Sequence, residues 1–285
     1  MLTRARERTV SMEQQSGLSG IHITAQKAAA LRAAHSLLGA EPKVFDDTLA
    51  LPLTGMAESE VIAMGTRQKS GAAGSCVGRG RFTEDRLAAA RDRLDQYVVL
   101  GAGLDSYALR MGDSLGDLTV FEVDDLPFQA WKRQRIKELG LKEPKQLRYT
   151  PCDFEKTSIA DALAATGFDA SKPCFISWLG VTQYLTPEAS AETLRWAAQC
   201  APGSEIVLTF SDASVADDSY NASIAANNLP FLTLFTADEM TGMLEKAGFS
   251  IIEHLTEEEE NRRYFANRTD GLVAPAVQRL VSAIV

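Results

Sequence analysis

Short apolar runs recur along this chain, and segments with helix signals separate them. The runs at 97–100, 118–124, 147–152, 174–178 and 205–210 read as buried strands. Ahead of them, Thr24 can cap a helix over 25–38, where Ala28, Leu31, His35 and Leu38 share one stripe; Gly39 and then Pro42 stop it. Positions 46–47 and 49–53 read as a turn and a packing segment, and 58–68 as a helix. Residues 70–80 are rich in Gly, Ala and Ser and predict a loop, with a helix running from there to about Leu94. A first crossover helix is expected over 104–115. A second opens at Asp125 with Pro127 in its first turn and runs to Leu139, where Gly140 ends it. Thr186-Pro187-Glu188 starts a helix that lasts to Cys200, and Thr236 with Glu239 forms a capping box for a helix to Lys246. Between them, 211–234 breaks the pattern with Asp, Ser, Asn and Ala, which predicts a lid or substrate-binding insertion. Segments 249–255 and 262–266 read as a closing antiparallel pair of strands, and 272–285 as a short apolar helix or strand.

Composition narrows the function classes. A chain of 285 residues carries one α/β domain with additions, expected over 21–285, with helices to 95, a core to 210, a lid and helix to 247 and closing strands after that. The net charge of −9 argues against a nucleic-acid or membrane surface, which needs clustered Lys and Arg. Arg79, Arg81, Arg86, Arg91 and Arg93 form a local basic run, but acids are interleaved with them. The acids Glu257–Glu260 read as a solvated turn. Cys76, Cys152, Cys174 and Cys200 lie far apart, which fits buried reduced thiols in a cytosolic protein. His22, His35 and His254 lack zinc-ligand spacing, and no apolar run approaches the ~20 residues that span a bilayer. Residues 1–20 are charged and rich in Ser and Gln, without the apolar core of a signal peptide, and are expected to be a disordered lead-in.

The chemistry gathers at strand ends. The run 97–100 ends in Gly101-Ala102-Gly103, followed by Leu104-Asp105. Gly101 can take a turn conformation closed to other residues, and Gly103 lets a ligand approach bare backbone. The third glycine of the dinucleotide fingerprint is absent, because Tyr107 and Ala108 stand there. About 20 residues on, the next strand ends in Glu122-Val123-Asp124, where such folds hold a ribose diol. Together these features point to a nucleoside site.

Three segments in order, 98–106, Phe121-Glu122-Val123-Asp124, and Trp178-Leu179-Gly180-Val181-Thr182-Gln183-Tyr184-Leu185-Thr186, resemble the leucine carboxyl methyltransferase-like family. The likeness runs from about Thr24 to the C-terminus and points to its bacterial branch of small-molecule O-methyltransferases. It implies a Rossmann-like class I methyltransferase fold: a seven-stranded, mostly parallel sheet with helices on both faces, extra N-terminal helices and a lid. It implies S-adenosyl-L-methionine as cofactor. Carried over residue by residue, it implies cofactor contacts from Gly101, Ala102, Gly103, Asp105, Glu122, Asp124, Trp178 and Leu179. Asp153 and Phe154 match the adenine-binding pair. Lys27 or Arg79 would reach the methionine carboxylate, with Arg79 favoured over Arg81. The chain departs from the family at Tyr107, where an Arg is usual, and at Leu179, where many relatives carry Glu.

Sulfonium methyl transfer asks the protein mainly to align donor and nucleophile and to exclude water. No His stands beside a strand-end motif, which favours a carboxylate or acidic hydroxyl acceptor over one that needs a base. Tyr184, Phe231 and Phe235 are the candidate acceptor contacts, the acceptor being a small molecule and the enzyme a monomer or homodimer. Two other readings stay open: a nicotinamide-dependent oxidoreductase, and a non-catalytic nucleoside-binding protein of the same fold.

Overall fold

A computed structural model describes residues 20–67, 71–154, 156–218, 220 and 231–285. Helices α1 (Ile21–Leu38), α2 (Ala50–Thr54), α3 (Glu58–Arg67) and α4 (Ala72–Ala90) precede the first strand. The sheet region follows: β1 (Gln96–Leu100), α5 (Tyr107–Met111), β2 (Thr119–Asp124), α6 (Leu126–Glu138), β3 (Leu147–Pro151), α7 (Ile159–Ala165), β4 (Cys174–Trp178), α8 (Pro187–Ala197) and β5 (Glu205–Ser211). The chain closes with α9 (Ala237–Ala247), β6 (Ile251–Leu255), α10 (Glu257–Glu260), a π-helical turn at Asn261–Phe265, and β7 (Gln278–Ile284).

The strand order is β3-β2-β1-β4-β5-β7-β6. Strands β1 to β5 pair in parallel, and β7 enters antiparallel between β5 and β6. Every residue of β1, β4 and β5 is buried, as expected when helices cover both faces. On one face Val98, Phe121, Ile176 and Leu208 pack with α7, α8 and α9; on the other Val99, Val120, Phe175 and Val207 pack with α4 and the α5 region. The order reverses at β1 and β4, so their C-terminal ends, with Leu100 beside Trp178 and Val123, border the crevice where ligands of such sheets bind.

The helices before β1 form a layer of their own. Ala30, Ala33 and Ala34 of α1 meet Ala50 and Val61, and Leu31 meets Ala73, Val77 and Phe265. Small side chains let these axes approach closely. The same feature overturns one expectation, because 72–80 is the first half of α4 and not a loop. Its glycines are contact points: a Cβ on Gly74 would overlap the Val273 carbonyl, one on Gly78 the Glu260 carboxyl, and one on Gly80 would lie 3.1 Å from the Phe45 ring.

Other boundaries move. Helix α1 starts at Ile21, before Thr24. The expected 104–115 helix divides into α5 and a 3₁₀ turn at Gly112–Leu115. Residues 262–266 lie in and beside the π turn, and the partner of β6 is β7. Among the four acids of α10, Glu260 is buried and not solvated. The four cysteines are free and buried. Among the described residues no helix is long and apolar enough to cross a membrane. The expected lead-in, except Gly20, lies outside the described residues, as do 219 and 221–230 of the expected lid.

Candidate functional site

At the end of β1 the chain reverses at Gly101 and Gly103, with φ of 65° and 52°. The amides of Gly101 and Ala102 donate to the Val123 carbonyl at 2.9 and 3.0 Å. The Gly103 amide donates to Asp124 Oδ2 at 2.6 Å, and the Asp125 amide to Asp124 Oδ1 at 2.8 Å. Burial pushes the Asp124 carboxyl above the usual carboxylate range, against the pull of these two amides. Asp105 Oδ1 accepts from the Tyr107 amide at 2.8 Å and so opens α5. The expected bare backbone is corrected here. A Cβ on Gly101 would lie 2.5 Å from Val181 Cγ2, and one on Gly103 3.1 Å from Ala25 Cβ. Both positions need glycine for their positive φ and for the close approach of this chain's own side chains.

Helix α1 lies across this turn. Besides the Ala25 contact, Arg32 Nη2 donates to the Leu104 carbonyl at 2.7 Å, and His22 Nε2 sits 2.6 Å from Asp125 Oδ2. The His22 ring stacks on Phe128 at 4.7 Å. Lys27 stands half-buried on the same helix.

Val181, which abuts Gly101, follows Gly180, and the Gly180 amide is held by Thr209 Oγ1 at 2.7 Å. Arg79 of α4 packs there, its Nη1 2.6 Å from where a Gly180 Cβ would stand. Among the described residues no carboxylate pairs with Arg79. Arg81 is committed elsewhere, to Asp85 at 2.8 Å and to the Val44 carbonyl. The Arg79 guanidinium, with Thr24 and Gln183, pulls the Tyr184 hydroxyl down against the effect of burial. Tyr184 meets Phe231 edge to face at 5.3 Å, and Tyr220 meets the same ring at 6.3 Å. Tyr220, whose hydroxyl lies 3.1 Å from Ser211 Oγ, was not foreseen. Its only sequence signal is an aromatic residue within a polar insertion. Burial raises both tyrosine hydroxyls, so they stay protonated.

At the end of β3, Asp153 pairs with Lys156 at 2.7 Å and Phe154 packs half-buried against the core. The Cys152 amide donates to the Asp124 carbonyl at 2.9 Å, which keeps the two strand ends together. Three expected contacts are withdrawn into the interior. Trp178 is 0% exposed and packs in the core behind β4. Phe235 belongs to the same core and bridges to Asp212. Glu122 is 1% exposed and bound to Lys132. Leu179 packs against the opposite cluster.

Residues 25–198, more than half of the sequence, match the family described as leucine carboxyl methyltransferase. The chain belongs to the leucine carboxyl methyltransferase family. Similar curated proteins include YktD of Bacillus subtilis (strain 168), named by assignment as an S-adenosyl-L-methionine-dependent methyltransferase. It is 36% identical over 188 residues, 63% of this chain and 62% of that protein. A protein of Mycolicibacterium gilvum (strain PYR-GCK) with the same assigned name is 37% identical over 136 residues, 46% of this chain and 43% of its own. The match thus spans about three-fifths of the first relative's length and less than half of the second's. Among solved structures, a protein assigned as a methyltransferase from Thermobifida fusca YX superposes with a TM-score of 0.59 at 15% identity, covering 91% of this chain and 93% of its own. A DUF574 family protein from Streptomyces avermitilis MA-4680 gives 0.58 at 15%, covering 96% and 99%. These two share the fold. In this leucine carboxyl methyltransferase family member, the strand ends join a cation with no carboxylate partner among the described residues, an acid-capped turn under α1 and an aromatic corner.

Proposed function

We propose that this protein is an S-adenosyl-L-methionine-dependent methyltransferase that methylates a carboxylate or hydroxyl oxygen of a small molecule. The observation that carries the reading is Arg79: a half-buried guanidinium, packed on Gly180 beside the glycine turn, with no carboxylate partner among the described residues. A planar cation in that state suits the carboxylate of an amino-acid tail. At the other end of the turn, each Asp124 oxygen accepts one amide and keeps a lone pair for a ribose hydroxyl. Asp153, at the end of β3, pairs at the surface with the exposed Lys156, and surface pairs of this kind contribute little. These residues fit the donor's two polar ends.

When bound, the donor supplies a methyl group already activated on a sulfonium. The rest falls to positioning. Helix α1, fixed through Arg32 and His22, covers the turn and keeps water out. Tyr184 and Tyr220, held protonated by burial, donate hydrogen bonds to an acceptor oxygen and do not take its proton. Of the histidines, His22 is engaged by Asp125, and the other two do not serve as bases. His35 is buried with its pKa lowered to about 4, mainly by desolvation, and His254 bonds Thr241 and faces Phe210. This set supports an acceptor that is already ionised, a carboxylate ahead of an alcohol.

The test is calorimetric titration with S-adenosylhomocysteine, followed by transfer of labelled methyl from the donor across matched acids and phenols. Binding by the wild type, weakened roughly tenfold to a hundredfold in Arg79→Met, and label on an oxygen support the proposal. Arg81→Met, which loses the Asp85 pair and the bond to the Val44 carbonyl, leaves binding unchanged. A thermal shift by NADH without one by S-adenosylhomocysteine would overturn the reading.

A further inference from the structure

Beneath the glycine turn lies a buried ion pair that no role above explains. Lys132 and Glu122 are each 1% exposed, and Lys132 Nζ donates to Glu122 Oε2 at 2.6 Å and to the Asp105 carbonyl at 2.7 Å. We propose that Lys132 is a positioning residue that holds the glycine turn, through the Asp105 carbonyl, in the shape that receives the donor, and that Glu122 keeps the ammonium aimed there.

Three anchors fix the turn from Gly101 to Asp105. Val123 takes the amides at its start, and the Asp124 carboxylate takes the Gly103 amide in its middle. Its end is held by Lys132. The Asp105 amide also bonds the Ala102 carbonyl at 2.8 Å, so a force on the Asp105 carbonyl is felt at Ala102 and Gly103. The lysine is itself held in register. Gln129, one turn earlier on α6, donates to the Glu122 carbonyl at 2.8 Å and to that of Thr150 at 3.2 Å, tying the helix to β2 and β3.

Stability alone does not account for this pair. Burying two charges is costly, and apolar residues of the same volume commonly hold a core as well or better. What apolar residues lack is a donor for a backbone carbonyl. Glu122 Oε1 finds no hydrogen-bond partner among the described residues, a further sign that the pair is not arranged for greatest stability. The charged groups around Glu122 are Lys132 on α6, Asp105 on the turn and Asp124 on its own strand, with the Tyr149 hydroxyl of β3 facing it. Burial first of all, then the two aspartates, pushes its carboxyl up to about 7, and Lys132 pulls against them. The arrangement is therefore held by a single lysine.

The inference rests on the donor sitting at this turn, and its test needs no acceptor. S-adenosylhomocysteine binding is measured for the wild type, Lys132→Met and the double variant Glu122→Leu/Lys132→Met, which leaves no buried charge behind and keeps the fold if the single variant does not. Thermal melts and the amide resonances of 101–103 are recorded on the same samples. Positioning predicts affinity roughly tenfold to a hundredfold weaker in the folded variants, with shifted and broadened signals for those amides. Affinity within roughly twofold of wild type in the folded double variant, or unmoved amide signals, would overturn it. So would loss of folding in both variants, which makes the pair a stability element. A wild type that does not bind S-adenosylhomocysteine fails the donor reading itself, a result distinct from failure of the lysine alone.

Discussion

Glu260 is the carboxyl whose surroundings are hardest to reconcile with charge. It is buried under α4, pressed against Gly78, and its Oε1 has no hydrogen-bond partner among the described residues. Burial, then Glu257, pushes its pKa up to about 8 from an ordinary 4.5, with Arg279 pulling the other way. The folded chain therefore binds a proton here that the unfolded chain has released between those values. Stability from this group is full below about pH 4.5, falls as pH rises towards about 8, and levels off beyond. The slope is at most about 1.4 kcal/mol per pH unit. Urea unfolding from pH 5 to 8.5 reads it: Glu260→Gln should flatten that part of the curve. Parallel curves for variant and wild type would mean that the site is wetter than its burial implies.

At the scale of elements, the strands were plain in the sequence. Each of β1 to β5 falls within one residue of its predicted run; β1, β4 and β5 are buried throughout, as strands covered on both faces are, while β3 at the sheet edge exposes Arg148 and Pro151. Caps were equally local: Asp125 accepts from Phe128, Thr186 from Ala189, and Thr236 and Glu239 cap each other. Helix α4 was hidden because glycine carries two meanings. In a sequence it marks a turn; at 74, 78 and 80 it marks where Val273, Glu260 and Phe45 come against the helix. The site was legible to the same depth. Gly101, Gly103 and Asp124 are set by a strand end and meet there. Trp178, Glu122 and Phe235 lie inside because helices elsewhere in the chain cover them, and nothing in their own segments says so. Two glycine substitutions separate the meanings. Gly78→Ala puts a methyl against the Glu260 carboxyl and 3.2 Å from the Phe265 ring, and should cost about 1–3 kcal/mol. Gly242→Ala, inside α9 with nothing within 4 Å, should instead stabilise by about 0.5–1 kcal/mol. Chemical denaturation measures both, and equal signs for the two would refute the packing account of α4.

For the molecule as a whole, the question is what makes the helical layer and the sheet one unit. Asp47 stands at the junction, 1% exposed. It accepts from Arg32 of α1 at 2.8 Å and from Ser106, just before α5, at 2.6 Å, with Arg110 3.6 Å away. Burial pushes its carboxyl up, but Arg32, Ser106 and Arg110 together outweigh it and hold it below the ordinary value. Its contribution is therefore present at neutral pH and lost on acidification. Asp47→Ala leaves the largely covered Arg32 without its counter-ion, with only the Leu104 carbonyl to hold it, and should destabilise by about 2–4 kcal/mol, below the usual cost of a fully buried orphan charge. The larger consequence is for cooperativity. The tryptophans report on the sheet, because Trp178 and Trp196 pack in its core while Trp131 also touches the side of α1. In a Trp131→Phe background, fluorescence follows the sheet alone and far-ultraviolet circular dichroism follows both layers. The two probes should trace one transition in the protein with Asp47. With Asp47→Ala the dichroism should fall at lower denaturant than the fluorescence, as α1 to α3 release before the sheet, on which α4 stays packed through Phe82 and Leu87. Coincident transitions at an unchanged midpoint would mean that apolar packing alone joins the layers, and that α1 stays over the glycine turn without this carboxylate.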